Sequence, residues 1–197
     1  MNLIARAQGI CLKPKDEWVK IKGESTPVMT LFMQYVIPLA AIPAIAQFIG
    51  FGLIGVRVPF FGNLRLPLGT AIFRALLTYV LSIVSVYVGG LIINALAPNF
   101  GSKPNLENAM KLIVYSMTPA WVAGVFYIIP SLGVLAGLAG LYGLYILYLG
   151  FQTPMMETPK DKATTYFVVS LVVMVALWFI VGLVVGAVFS LRAVPTL

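Results

Sequence analysis

The residues best placed to do chemistry form one short run, Tyr115-Ser116-Met117-Thr118-Pro119, inside a long apolar stretch. A proline in mid-helix has no N–H and crowds the carbonyl four residues back, which here belongs to Tyr115. The freed carbonyl and the hydroxyls of Ser116 and Thr118 can bond to one another or receive a polar ligand. A kink is the plain reading of this run, and a polar site the sharper one. Arg74 is the one charge that can fall within an apolar run. Near the end of a span it snorkels to the surface; deeper, it contacts a carbonyl or an anionic headgroup.

Other chemistries are poorly supplied. All six acids (Asp16, Glu17, Glu24, Glu107, Glu157 and Asp161) lie outside the apolar runs, so the chain lacks the intramembrane carboxylate typical of proton relays. With no His, the chain has no histidine metal site and no Ser-His or Cys-His catalysis, and a single Cys excludes a disulfide scaffold. No nucleophile elbow or phosphate-cradling Gly-Lys-Ser is present. The expectation is a protein that is not an enzyme, with no catalytic residues, no metal and no cofactor.

The elements that must position these residues follow from composition. Of 197 residues, 60% are hydrophobic and only 10% charged, and the mean hydropathy is +0.99. A soluble domain carries about a quarter charged residues, so lipid is the expected solvent. Uncharged runs of 32, 28, 45 and 29 residues separate Glu24 from Arg57, Arg74 from Lys103, Lys111 from Glu157 and Lys162 from Arg192. About 20 apolar residues cross a bilayer as a helix. The longest run holds two helices, broken at Ile129-Pro130-Ser131. The expected fold is all-α and polytopic, with five transmembrane helices near 28–54, 70–96, 109–129, 131–151 and 165–189. It divides into a tail (1–27), a membrane domain (28–190) and a short C-terminal tail (191–197).

Basic residues orient the bundle. The net charge of +7 flanks the spans instead of forming a nucleic-acid stripe, so no nucleic-acid partner is expected. Nine Lys and Arg fall on the side of the N-terminal tail and four on the other. The positive-inside rule then predicts a cytoplasmic N-terminus and a periplasmic C-terminus. The tail has no continuous apolar core of a cleavable signal. Leu3, Ile4, Ala7, Ile10 and Cys11 recur at helical spacing, as in a short interfacial helix. Pro14-Lys15-Asp16-Glu17-Trp18 then starts a second piece, with Trp18 expected at headgroup level.

Small residues mark where spans should meet. Gly133, Gly137 and Gly140 share one face of the fourth span, and Gly182 and Gly186 stand four apart in the fifth. Such glycines let backbones approach closely. Packing within the bundle is the first expectation and self-association the second. Glu107 and Lys111 are spaced as an i, i+4 pair, with Asn105 as N-cap.

Three pieces taken in order resemble the YIP family, whose eukaryotic members interact with Ypt/Rab GTPases. They are Lys13-Pro14-Lys15-Asp16-Glu17-Trp18 before five spans, Tyr115-Ser116-x-x-Pro119, and the Pro130-broken hairpin ending Tyr145-x-x-Tyr148-Leu149-Gly150. The likeness is closest to the short bacterial inner-membrane branch. It implies a five-span protein of that membrane with a cytoplasmic N-terminus, and no catalytic residues carry over. The eukaryotic Asp-Leu-Tyr-Gly-Pro element is missing from this tail, so GTPase binding is not implied. The expected function is non-enzymatic: binding or organising other membrane components, with the bilayer, a second copy or other membrane proteins as partners. The alternative is passive or facilitated transport of a small solute or lipid.

Overall fold

The computed structural model describes residues 2–58, 62–153 and 155–191. Helices α1 (Leu3–Leu12) and α2 (Pro14–Gly23) form an N-terminal hairpin. Asn2 caps α1 by accepting from the Ala5 N–H. Pro14 occupies the first turn of α2, where an N–H would have no helical partner. Asp16 and Glu17 sit at the positive end of α2, and Lys20 and Lys22 at its negative end.

Four helical stretches are long and apolar enough to cross a membrane: Val28–Ile54, Leu68–Phe100, Leu106–Ile128 and Pro130–Gln152. They are the first to fourth spans of a polytopic, all-α membrane protein. The fifth expected span falls on the helix Lys160–Leu191. The expected C-terminal tail beyond Leu191 lies outside the described residues. The break at Pro130 is in place, with Ile129 extended between two 3₁₀ turns. Between the first two spans lies a small antiparallel hairpin, β1 (Val56–Val58) and β2 (Gly62–Leu64), with Val56 opposite Leu64. Strands of three residues are too short to leave a periodic signal, and sequence reading missed them.

The first span is not a uniform α-helix. It widens into π-turns at Phe32–Val36 and Phe48–Ile54. Pro38 and Pro43 each withhold a donor, so the local hydrogen-bond ladder shifts. The far end of the third span tightens instead into a 3₁₀ turn, and the two backbones nearly touch. A Cβ added to Gly50 would meet the Tyr127 carbonyl oxygen at 2.1 Å, and one on Gly124 would meet Pro43 Cβ at 2.6 Å.

The third span is the axis of the bundle. Of its most apolar stretch 67% is buried, against 33% or less in the other three candidate spans. It therefore carries the sequence's candidate site into the core. At the end of the bundle nearest α1 and α2, two loops knit the spans together. The Lys103 N–H donates to the Met156 carbonyl (3.1 Å), and Asn108 Nδ2 donates to the Met155 carbonyl (2.9 Å).

Candidate functional site

Pro119 does interrupt the third span. The α-helix stops at Ser116 and restarts at Thr118, with Met117 between. Thr118 Oγ1 donates a 2.7 Å hydrogen bond to the Tyr115 carbonyl, the group that proline deprives of its helical partner. Ser116 Oγ donates to the Leu112 carbonyl at 2.6 Å. Tyr35, from the first span, places its hydroxyl 2.9 Å from Thr118 Oγ1. Because the Thr118 proton points at Tyr115, Tyr35 is the donor in that pair. Tyr115, Ser116, Thr118 and Pro119 are all buried. These hydroxyls make local hydrogen bonds, one of the two uses open to them in the sequence.

Aromatic rings close the site. The Tyr115 ring meets those of Tyr35 (5.0 Å between centroids) and Trp18 (6.3 Å) edge-on. The Arg6 guanidinium lies 5.6 Å from the Tyr115 ring centre. Trp18 and Arg6 both come from the N-terminal hairpin. Trp18 is therefore not the headgroup anchor that its sequence context implied. It is fully buried, and its indole Nε1 donates to the Ile146 carbonyl of the fourth span at 3.0 Å. The hairpin docks into the bundle as well as presenting apolar Ile4 and Leu12 outward.

A buried ionic lock holds it there. Arg6 donates to Glu17 at 2.6 Å and to both oxygens of Glu24. Burial pulls the Arg6 guanidinium toward the neutral form, but the Glu24 hydrogen bond and charge outweigh it and hold its pKa above the ordinary value. Lys111, 1% exposed, pairs with Glu107 at 2.8 Å and donates to the Glu24 carbonyl. Glu107 also accepts from the Thr26 N–H at 2.5 Å. Asn105 caps the helix by accepting from the Asn108 N–H. The Glu107–Lys111 pair and its cap were legible in the sequence. The Arg6–Glu17–Glu24 cluster was not, because charges in a tail look solvated until a partner element is known.

Two cavities adjoin these groups. A cleft of about 730 Å³ opens between the hairpin and the start of the first span, with Arg6 and Glu17 in its wall. A smaller one, about 160 Å³, lies among the third, fourth and fifth spans, lined by Ser116, Gly143 and apolar side chains.

The glycine expectation needs correction. A Cβ on Gly133 would touch the Tyr127 ring at 3.0 Å, but for Gly137 and Gly140 no described atom lies within 4 Å. The close approaches fall on other glycines of the same span. A Cβ on Gly143 would lie 2.5 Å from the Ser116 carbonyl, and one on Gly150 would lie 2.6 Å from Leu112 Cδ2. Alternate helical faces offer similar small-residue spacings, and only the neighbouring span's position selects between them. The surroundings of Gly182 and Gly186 lie outside the described residues. Arg74 is exposed, with its guanidinium carbon 4.6 Å from the Phe51 ring centre. It stands apart from the kink.

Comparison with known proteins adds a lineage. The model of a family described as "Yip1 domain" matches residues 9–188. Inner membrane protein YohC of Escherichia coli strain K12 is 30% identical over 131 residues, covering 65% of this chain and 66% of that protein. YohC of E. coli O6:H1 strain CFT073 aligns to the same extent. The chain thus spans 66% of the length of the curated relatives it matches. No solved structure matches it.

Proposed function

Because the chain belongs to the Yip1 domain family, we propose that it is a non-enzymatic membrane protein that binds or organises other membrane components. The observation that carries this reading is the state of the kink. The hydroxyls of Ser116, Thr118 and Tyr35 are spent on bonds within the bundle, in a site covered by Trp18 and Arg6. A permeation path needs polar groups along a continuous cavity, whereas the space that Ser116 lines is about 160 Å³ and walled mostly by apolar side chains, and a packed polar network rigidifies a core. The large cleft beside the hairpin offers a binding surface instead.

The proposed setting is a bacterial inner membrane, like that named for the YohC relatives. The N-terminus is cytoplasmic and the C-terminus periplasmic, because nine of the thirteen Lys and Arg flank the N-terminal side. Self-association or association with other membrane proteins is part of the proposal.

Reconstitution tests it. Vesicles with and without purified protein are compared for release of small trapped solutes and for flip-flop of a fluorescent phospholipid. The expected result is equal rates, together with discrete crosslinked adducts in native membranes. Rates that rise in proportion to protein would replace this reading with transport.

A further inference from the structure

We propose that the cleft between the N-terminal hairpin and the first span is a site for the headgroup of a zwitterionic phospholipid, one carrying both a phosphate and an ammonium. The site deepens the binding reading above by naming one membrane component, and rests on it.

The cleft's position comes first. Its wall on the first span includes Thr30 and Gln34, one turn apart on the same helical face. Gln34 is exposed and lies six residues past the start of that span, about 9 Å along the axis at 1.5 Å per residue. An amide carried this far along a membrane span is costly unless a polar group meets it. A headgroup drawn down into the cleft supplies them, and its acyl chains can follow the apolar surface of the first span below.

Charge then selects the class of head. The inner wall is neutralised internally, because Arg6 is held by Glu17 and Glu24, and Lys20 pairs with Glu17 at 3.0 Å. Lys13 and Asp16 also line the cleft, both exposed. Neither has an ion pair or side-chain hydrogen bond among the described residues. One free ammonium and one free carboxylate on the same rim complement in sign a phosphate and an ammonium carried by one headgroup. The six ionic groups of the lining, Arg6, Lys13, Lys20, Asp16, Glu17 and Glu24, sum to zero. A net-anionic head therefore finds no excess of positive charge. The cleft's volume of about 730 Å³ leaves ample room for a headgroup and its glycerol.

The test is thermal unfolding of the full chain in detergent, titrated with phosphatidylethanolamine, phosphatidylglycerol or glycerophosphoethanolamine, the last being the head without tails. Phosphatidylethanolamine well above half-saturation should raise Tm by roughly 5 °C. Phosphatidylglycerol should give less than half that shift, and the tail-free head should need far higher concentrations. Gln34→Leu, and separately the exchange Lys13→Asp with Asp16→Lys, test the site. Gln34→Leu should abolish the shift while the lipid-free Tm holds, and the charge exchange should weaken it. Equal shifts from both lipids would overturn the proposal, as would a full shift from the tail-free head at equal concentration. So would an ethanolamine-specific shift that survives Gln34→Leu. These outcomes are independent of the vesicle rates, so the site and the organising function fail separately.

Discussion

The Trp18 indole N–H donates to the Ile146 carbonyl across 128 residues of chain, at 3.0 Å, and so fastens the N-terminal hairpin to the fourth span. The ring also packs edge-on to Tyr115, so one side chain links the hairpin to the kink of the third span. Trp18→Ala should cost about 3–5 kcal/mol through the cavity it leaves. Trp18→Phe should cost about 1 kcal/mol beyond any packing change, because the Ile146 carbonyl keeps its helical partner. Thermal unfolding of both variants in detergent checks the order. Equal, small losses would mean that the hairpin does not depend on this contact.

Lys111 is a charge that the fold has enclosed. Lys111→Met should destabilise by about 1–3 kcal/mol, since the Glu24 carbonyl loses its donor and Glu107, though still bonded to the Thr26 N–H, loses its ion pair. Adding Glu107→Gln to that variant should recover part of the loss. A double variant as weak as the sum of the two single changes would show that the pair is not coupled.

The glycines of the fourth span separate two faces. Gly143→Ala places a methyl 2.5 Å from the Ser116 carbonyl and should cost about 1–3 kcal/mol. Gly137→Leu meets no described neighbour and should leave Tm within a degree or two of the parent. The reverse order of stabilities would restore the face that the sequence spacing favoured.

What was legible in the sequence was whatever depends on near neighbours along the chain. Gaps between charges placed the first span at its observed limits, Pro130 marked the hairpin between the third and fourth, and Glu107 with Lys111 announced a helical pair. Pro119 likewise predicted its own kink and the carbonyl that Thr118 satisfies. The docking of Trp18, the Arg6 cluster and the contribution of Tyr35 to the kink join elements 11 to 128 residues apart. No periodicity encodes such pairings. They arise from which helix faces meet, and spacing alone likewise did not single out Gly143 and Gly150, where the fourth span's closest approaches among the described residues fall.

Cys11 gives a solution handle on the docked hairpin. Burial pushes its thiol up from the ordinary value. The reactive thiolate is therefore scarcer at a given pH than for a free cysteine. Maleimide labelling in detergent should be slow near neutrality and keep climbing above the pH at which a free thiol levels off. Labelling that saturates at or below the ordinary thiol range would mean that α1 stands away from the bundle.

The polar kink is packed and spent inside the bundle, and water access to it is the direct measurement. Ser116→Cys and Thr118→Cys, each in a Cys11→Ser background, are treated in sealed membranes with a charged, membrane-impermeant thiol reagent from either side. Neither cysteine should be modified until the protein is denatured. Rapid modification of either one in the folded protein would instead place the kink on an aqueous path, open to solvent and not packed.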